Sequence, residues 1–135
     1  MVIVDTNILM SEASLKGLFE EFDDIAIPVE VLSELDNLKT KEGDRGYHAR
    51  SAIRAIKLNM DKIQFLIHED TSKLNRLSMI VDDIILAHCE KYPDATLVTN
   101  DINMEIKAKA LGLKSINYYG KTIERNAPVE KVIMT

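Results

Sequence analysis

The sequence predicts an α/β domain with a central, mainly parallel β-sheet flanked by helices on both sides. Short apolar runs rich in Val and Ile alternate along the chain with longer segments whose apolar residues recur every three to four positions. This alternation is typical of parallel strands joined by helical crossovers. Acidic residues follow two of the apolar runs, at the sheet edge where such folds usually bind their ligands.

Composition indicates the class of protein. The chain has 135 residues, 46% of them hydrophobic and 29% charged, so we expect one globular domain over residues 1–135. Cys89 has no disulfide partner, and the first residues lack the basic start of a signal peptide, so the expected location is the cytoplasm, away from membranes. The net charge of −5 argues against binding nucleic acid through overall charge, although bound cations could reverse the field around an acidic cluster.

The first half of the chain is predicted to form two strands and three helices. Val and Ile favour a strand over residues 1–5, and residues 24–28 form a second apolar strand. The spacing of apolar residues predicts helices over 14–22, 29–39 and 47–60. Pro28 is expected in the first turn of the second helix, where its missing N–H is not needed.

The second half is predicted to form three strands separated by helices. Apolar runs indicate strands over 63–69, 95–101 and 114–119. Apolar spacing indicates helices over 82–92 and 103–113, and Gly112 is placed to end the last of them.

Helical phase separates two acids of the helix over 29–39. Val31, Leu35 and Leu38 form its apolar stripe. At ~100° per residue, Glu34 lies on the border of this stripe and Asp36 points nearly opposite. We therefore expect Glu34 to face a cleft and Asp36 to face solvent.

The stretch "IVDDIILAHC" sets two carboxylates side by side at the start of the helix over 82–92. Its apolar stripe consists of Val81, Ile85, Cys89 and Tyr92. Asp82 lies beside that stripe, whereas Asp83 rotates away from it. Asp82 is therefore the acid predicted to point toward the sheet edge.

Four carboxylates can thus reach one edge of the sheet: Asp5, Glu34, Asp82 and Asp101. Any single acid in such a place commonly caps a helix, so the prediction rests on their convergence. Without a cation they would repel one another, and Mg²⁺ or Mn²⁺ resolves this because both prefer oxygen ligands and keep waters for a substrate. Two such ions can drive phosphodiester hydrolysis. Zinc fits less well, because no His/Cys cluster has ligand spacing.

In these acidic segments the sequence resembles the PIN domain family of metal-dependent ribonucleases. The resemblance covers residues 1 to about 118 and follows four segments in order, "VIVDTNIL", "IPVEVLSELDNL", "DDIILAHC" and "TLVTNDINMEIKAKALGL". It is closest to the PIN domain of PhoH-type proteins, where "ELD" precedes a "G-x-x-A-R" helix start, here Gly46 to Arg50. VapC-type toxins are also similar. We expect no PhoH-type coupling to ATP hydrolysis, because the 135 residues include no ATPase segment, and the tail 119–135 has no match that we recognise.

The resemblance implies a Mg²⁺- or Mn²⁺-dependent endoribonuclease that hydrolyses phosphodiester bonds of single-stranded or loop RNA. The family's catalytic, metal-binding acids fall on Asp5, Glu34, Asp82 and Asp101, and its site-orienting polar residues fall on Asn7 and Thr99. The resemblance also implies partners: RNA, a second copy of the chain in a homodimer, and an antitoxin or an ATPase in trans.

Two further features each have two interpretations. Arg50, Arg54 and Lys57 share a helix face that could contact RNA phosphates or could be an ordinary solvated face. Tyr118 and Tyr119 could stack on bases or pack at a strand end.

The alternative function is a PIN-fold module that has lost cleavage and binds RNA or another protein. The presence of all four acids weighs against it. A receiver-type α/β domain would also place acids at strand ends, but the sequence lacks the paired N-terminal acids and the later lysine of that class.

Overall fold

The β-sheet is arranged around the first strand of the chain. A computed structural model describes residues 1–67, 81–120 and 122–124, the last three only as a strand. Its strands are β1 (Val2–Val4), β2 (Ile25–Pro28), β3 (Ile63–Leu66), β4 (Thr96–Val98), β5 (Lys114–Tyr119) and β6 (Thr122–Glu124). They form one sheet in the order β3-β2-β1-β4-β5-β6, in which every pair is parallel except β5 and β6.

Helices flank this sheet, which confirms the predicted fold class. In the described residues they are α1 (Thr6–Leu9), α2 (Glu12–Glu21), α3 (Val29–Leu38), α4 (Asp44–Leu58), α5 (Val81–Lys91) and α6 (Ile102–Ala110). A short 3₁₀ turn, Met60–Lys62, links α4 to β3. In the same part of the chain, no helix combines the length and the apolar character that crossing a bilayer requires.

The central strands are buried on both faces, as the helical cover requires. Ile3, Val4, Ile27, Leu97 and Val98 have no exposed surface. Apolar residues of the helices complete one core with them, including Leu18, Val31, Leu35, Ile85 and Met104. This core holds the ends of the central strands in fixed positions.

A reversal of strand order places the functional edge of the sheet. The chain leaves β1 toward β2 on one side, whereas β4 lies on the other side of β1. In open parallel sheets such a reversal opens a crevice at the carboxyl ends of the strands. Val4 pairs with Val98, and the Asp5 N–H donates to the Val98 carbonyl at 3.0 Å. The residues that follow β1 and β4 are therefore neighbours.

Two predicted positions within elements are wrong. Pro28 is the last residue of β2 and the N-cap of α3, with an extended ψ of 142°, so it precedes the first helical turn instead of lying in it. Met60, the last residue of the helix predicted over 47–60, does not belong to α4, because that helix ends at Leu58 and Met60 is exposed in the 3₁₀ turn. α4 starts at Asp44, before the predicted start at position 47. Gly46 lies inside this helix at a position that only glycine can occupy, because a Cβ there would collide with the Lys41 carbonyl oxygen.

Two elements were not predicted. α1 is a single turn directly after Asp5, too short to show helical periodicity. β6 lies in the C-terminal tail and extends the sheet, so β5 is not the last strand. The end of the predicted strand over 63–69, at positions 68 and 69, lies outside the described residues.

Gly112 does end the helix that the sequence predicts. Its φ is +75°, its N–H donates to Lys109 O at 3.1 Å, and the Leu113 N–H donates to Ala108 O at 2.8 Å. This pair of bonds is a Schellman motif, which glycine accommodates without strain.

Candidate active site

The Asp5 carboxylate is the buried centre of the candidate site, with 3% of the residue exposed. It caps α1, since one carboxylate oxygen accepts the Thr6 N–H at 2.7 Å. The other oxygen accepts the Thr99 hydroxyl at 2.7 Å and the Asn7 amide at 2.9 Å. Three donors therefore replace the water that burial removes.

Asn7 and Thr99, the residues that the family resemblance implies as site-orienting, join the ends of β1 and β4. The Asn7 carbonyl oxygen accepts the Asn100 N–H at 3.1 Å, and the Thr99 hydroxyl oxygen accepts the Asp101 N–H at 3.0 Å. The backbone that carries Asp101 is thus tied to the residues that hold Asp5. Asp5 and Asp101 are thus linked through Asn7 and Thr99.

Asn100 fixes the same segment to the next strand. Its amide donates to Tyr118 O at 2.8 Å, and its carbonyl oxygen accepts the Tyr118 N–H at 2.9 Å, so the side chain pairs with β5 as a backbone would. Asn117 adds a bond to Thr99 O at 2.8 Å. Sequence reasoning did not select Asn100, although its position between Thr99 and Asp101 was the available signal.

Glu34 reaches the site through Thr6, which sequence reasoning also passed over. The Thr6 hydroxyl donates to a Glu34 carboxylate oxygen at 2.6 Å. Thr6 follows Asp5, so this bond joins α3 to the residue beside the buried carboxylate. Asp36 is exposed and pairs with Lys39 at 2.6 Å, in the orientation that helical phase predicts.

Asp82 and Asp83 also take the orientations that helical phase predicts. Asp82 is partly buried, whereas Asp83 is exposed and pairs with Lys107 of α6 at 3.5 Å. Asp101 caps α6, and one of its oxygens accepts the Asn103 N–H at 2.9 Å. The structure thus brings Asp101 and Asp82 to the same edge of the sheet as Asp5.

Burial and mutual repulsion act on these acids together. Burial is the main cause that raises the pKa of Asp5 to about 6, against the hydrogen bonds from Thr99 and Thr6, and the charges of Asp82 and Asp101 raise it further. Burial also raises the pKa of Asp82, with Asp101 adding to the rise, Lys107 opposing it and Glu34 adding to it. All four predicted acids therefore interact electrostatically.

The donor set suits a hard divalent cation, because every acid offers carboxylate oxygens. In the described residues, however, no group of three or more His, Cys, Asp or Glu side chains is placed to hold a metal ion. The absence of such a group is compatible with Mg²⁺ binding, because Mg²⁺ usually keeps several waters and takes only one or two protein carboxylates. The acids form a charged cluster instead of a closed cage.

The predicted basic face lies apart from these acids. Arg50 donates to Lys39 O at 2.7 Å, just past the end of α3, and Arg54 contacts Ser51 on its own helix at 3.4 Å. Lys57 is exposed on the same helix. In the described part of the chain none of the three contacts an acid of the cluster, so their RNA-binding role stays a prediction.

Tyr118 is a core residue and Tyr119 is not. Tyr118 has no exposed surface and packs edge-to-face on Phe22, with ring centroids 5.3 Å apart, so it does not stack on bases. Tyr119 is about half exposed.

Cys89 lies in the core of the described residues. Burial raises the pKa of its thiol to about 12, with the charges of Asp5 and Glu90 adding to the rise, and thus disfavours the thiolate that nucleophilic chemistry requires.

Comparison with protein families gives a match over most of the chain. Residues 2–119 match the family described as PIN domain. Among curated proteins the chain is similar to transcriptional protein swt1 of Schizosaccharomyces pombe, with 30% identity over 136 aligned residues. The match covers 87% of this chain and 28% of that protein, so the chain spans less than a third of the relative's length.

Solved structures with the same fold include a PIN domain endonuclease, Utp24, with a TM-score of 0.69 and 22% identity over 90% of this chain and 87% of that one. A domain of a functionally unknown protein from Methanocaldococcus jannaschii DSM 2661 has a TM-score of 0.63 and 23% identity, over 95% of this chain and 96% of that one. At these identities the likeness establishes a shared fold. The likeness to PhoH-type and VapC-type proteins stays an expectation from the sequence.

We predict that metal-free protein loses stability through Asp5 as the pH rises from about 4 to about 6. The folded state holds the Asp5 proton up to a pKa of about 6, whereas an unperturbed carboxyl releases it near 3.8, so the stabilisation is complete below the lower value and lost above the higher one. The difference between the two pKa values corresponds to about 3 kcal/mol in the free energy of unfolding. Urea unfolding in EDTA at several pH values should therefore show wild type losing stability relative to Asp5→Asn across this window.

In Asp5→Asn an amide nitrogen can face the Asn7 amide, so the absolute gain in stability at neutral pH can be smaller than the shift suggests. The difference in slope between the two proteins is the decisive quantity. Parallel pH profiles would mean that burial does not perturb the Asp5 carboxyl.

Proposed function

This chain belongs to the PIN domain family, and on that premise we propose that it is a Mg²⁺- or Mn²⁺-dependent endoribonuclease that hydrolyses phosphodiester bonds of single-stranded or loop RNA. The family supports a nuclease function in general. The observation that carries the proposal is the convergence of Asp5, Glu34, Asp82 and Asp101 on one sheet edge, where burial and mutual charge raise the pKa of Asp5 and of Asp82.

Such a cluster is costly unless a cation neutralises it, because like charges in a partly buried site oppose folding. Asp5 and Asp101 would hold the cation, since the Thr99 hydroxyl donates to the Asp5 carboxylate and its oxygen accepts the Asp101 N–H, which links the two residues. A divalent cation bound there would polarise a phosphate oxygen and lower the pKa of a bound water. Glu34 and Asp82, on separate helices, would bind a second cation or orient the attacking water.

The remaining polar residues hold these groups in place. The Thr6 hydroxyl orients the Glu34 carboxylate. Asn7 and Thr99 keep the Asp5 carboxylate aligned with the strand end that carries Asp101. A site assembled in advance in this way reduces the rearrangement that catalysis requires.

A binding module without cleavage is the second candidate, favoured by the absence, in the residues that the structure describes, of three acidic or other ligating side chains placed around one metal position. Such a module would bind RNA without cutting it. Metal binding and cleavage, measured separately, distinguish the two candidates.

We predict that the purified chain cleaves labelled single-stranded and hairpin RNA in Mg²⁺ or Mn²⁺ and not in EDTA. Asp5→Asn and Asp101→Asn should each reduce the cleavage rate by orders of magnitude, because each removes a charge that would hold the cation. Neither should lower the metal-free melting temperature appreciably, since both relieve repulsion. Asp36→Asn is the control, because its carboxylate is exposed on the opposite face of α3. Absence of cleavage at every metal and pH would contradict the proposal.

We predict that Mg²⁺ and Mn²⁺ raise the melting temperature of wild type in a concentration-dependent way, because a cation that binds only the folded state stabilises it, by about 2.7 kcal/mol at a hundredfold excess over Kd. NaCl at matched ionic strength should not reproduce the shift. Asp5→Asn should lose most of it. An unchanged melting curve well into the millimolar range would mean that the acids are not a metal site of useful affinity.

We predict that Asp82→Asn and Asp83→Asn differ sharply. Asp82→Asn should reduce cleavage by orders of magnitude with little loss of stability, because Asp82 lies in the acidic cluster. Asp83→Asn should leave cleavage within a few-fold, because this carboxylate is exposed and pairs with Lys107. Its loss removes a helix-start acid worth about 0.3–1 kcal/mol. Single-turnover rates and melting curves for both variants test this, and the reverse pattern would refute the assignment of Asp82.

A further inference from the structure

Lys107 lies where the acidic cluster meets the surface. It belongs to α6, the helix that Asp101 caps, and its ammonium lies 3.5 Å from a carboxylate oxygen of Asp83 on α5. Asp83 directly follows Asp82 in the chain. The ammonium therefore spans the two elements that contribute Asp82 and Asp101 to the site.

The charge of Lys107 is felt inside the cluster. Burial raises the pKa of Asp82, as do Asp101, Glu34 and Asp83, and Lys107 opposes that rise. In the described residues the predicted basic residues of α4 contact no acid of the cluster. Lys107 is thus a cation at the edge of the candidate active site, placed there by geometry that sequence spacing did not indicate.

The ion pair with Asp83 can be exchanged at little cost. Its N···O distance is 3.5 Å, and the two side chains are 44% and 49% exposed. Exposed pairs of this kind contribute little to stability. An incoming phosphate, which offers several acceptor oxygens, can take the place of Asp83 without loss of buried structure.

An RNA strand that reaches this site must approach a cluster of carboxylates on a chain with a net charge of −5. Proteins position nucleic acid backbones mainly with Lys and Arg contacts to phosphates. A cation at the rim of the cluster offsets the repulsion at the point where the strand enters.

We propose that Lys107 binds a backbone phosphate of the RNA substrate beside the scissile bond, and that Asp83 holds the ammonium in place until the substrate displaces it. The inference rests on the proposed function, because it names a substrate contact of the same site. It assigns opposite effects to the two partners. Loss of Lys107 weakens RNA binding, whereas loss of Asp83 removes a competitor and strengthens it.

The binding test uses fluorescence anisotropy of a labelled single-stranded RNA in EDTA, where cleavage cannot interfere, over a series of NaCl concentrations. Lys107→Ala should weaken binding and reduce the slope of log K against log salt by about 0.7, the value for one phosphate contact on a single strand. Lys107→Arg should keep the slope. Lys109→Ala is the matched control, since Lys109 is an exposed lysine of the same helix without a described ion pair.

The substitution of Asp83 also has a matched control. Asp83→Asn should tighten binding more than Glu90→Gln, which removes the same charge from an exposed position of α5. In Mg²⁺, Lys107→Ala should raise KM while kcat stays within a few-fold. A fall in kcat with KM unchanged would overturn phosphate binding, because Lys107 would then act through Asp82.

The outcomes separate this inference from the proposed function. If wild type cleaves RNA but Lys107→Ala and Lys109→Ala behave alike, the inference fails and the nuclease stands. If wild type binds RNA without cleaving it and Lys107→Ala reduces the salt slope, the phosphate contact of Lys107 stands, whereas its place beside a scissile bond fails together with the nuclease. If wild type neither binds nor cleaves, both fail.

Discussion

The candidate site depends on the burial of one carboxylate, that of Asp5, between the ends of β1 and β4. A buried charge is tolerated only when hydrogen bonds replace its hydration, and here Thr6, Asn7 and Thr99 supply them. Thr99 can reach Asp5 because Val4 and Val98 are paired. A shift of that register by one residue would turn Thr99 to the other face of the sheet. The pairing of β1 with β4 therefore also fixes the geometry of the site.

The same arrangement leaves the metal-free site electrostatically unfavourable. Hydrogen bonds lower the pKa of Asp5, but burial outweighs them, and the charges of Asp82 and Asp101 act in the direction of burial. Amides in place of these acids would preserve much of the shape without the repulsion. The four carboxylates therefore lower the free energy of unfolding of the metal-free chain. Residues that cost stability in this way are often found at functional sites.

Sequence patterns predicted the orientation of residues around each helix more reliably than the contacts between elements. Helical phase alone predicted that Glu34 and Asp82 point toward the site and that Asp36 and Asp83 point away from it, because a helix has a fixed angle per residue. The partners were not readable in this way. Thr6 with Glu34 and Asn100 with Tyr118 are separated by 28 and 18 positions, and no periodicity relates them. α1 was missed because a single turn shows no helical period, and β6 because its sequence, Thr-Ile-Glu, contains no apolar run.

The spacing of charged residues likewise does not predict which partner each side chain contacts. Arg50, Arg54 and Lys57 form a basic face by spacing, yet the Arg50 guanidinium donates to a carbonyl just past the end of α3, a structural role. Lys107 carries no such signature, and its significance comes from the helix it shares with Asp101. The ion pair that the structure records for Lys107 is with Asp83, an exposed acid of the neighbouring helix, and not with Asp101. A phosphate that displaces Asp83 would therefore engage the lysine without competing for the Asp101 carboxylate.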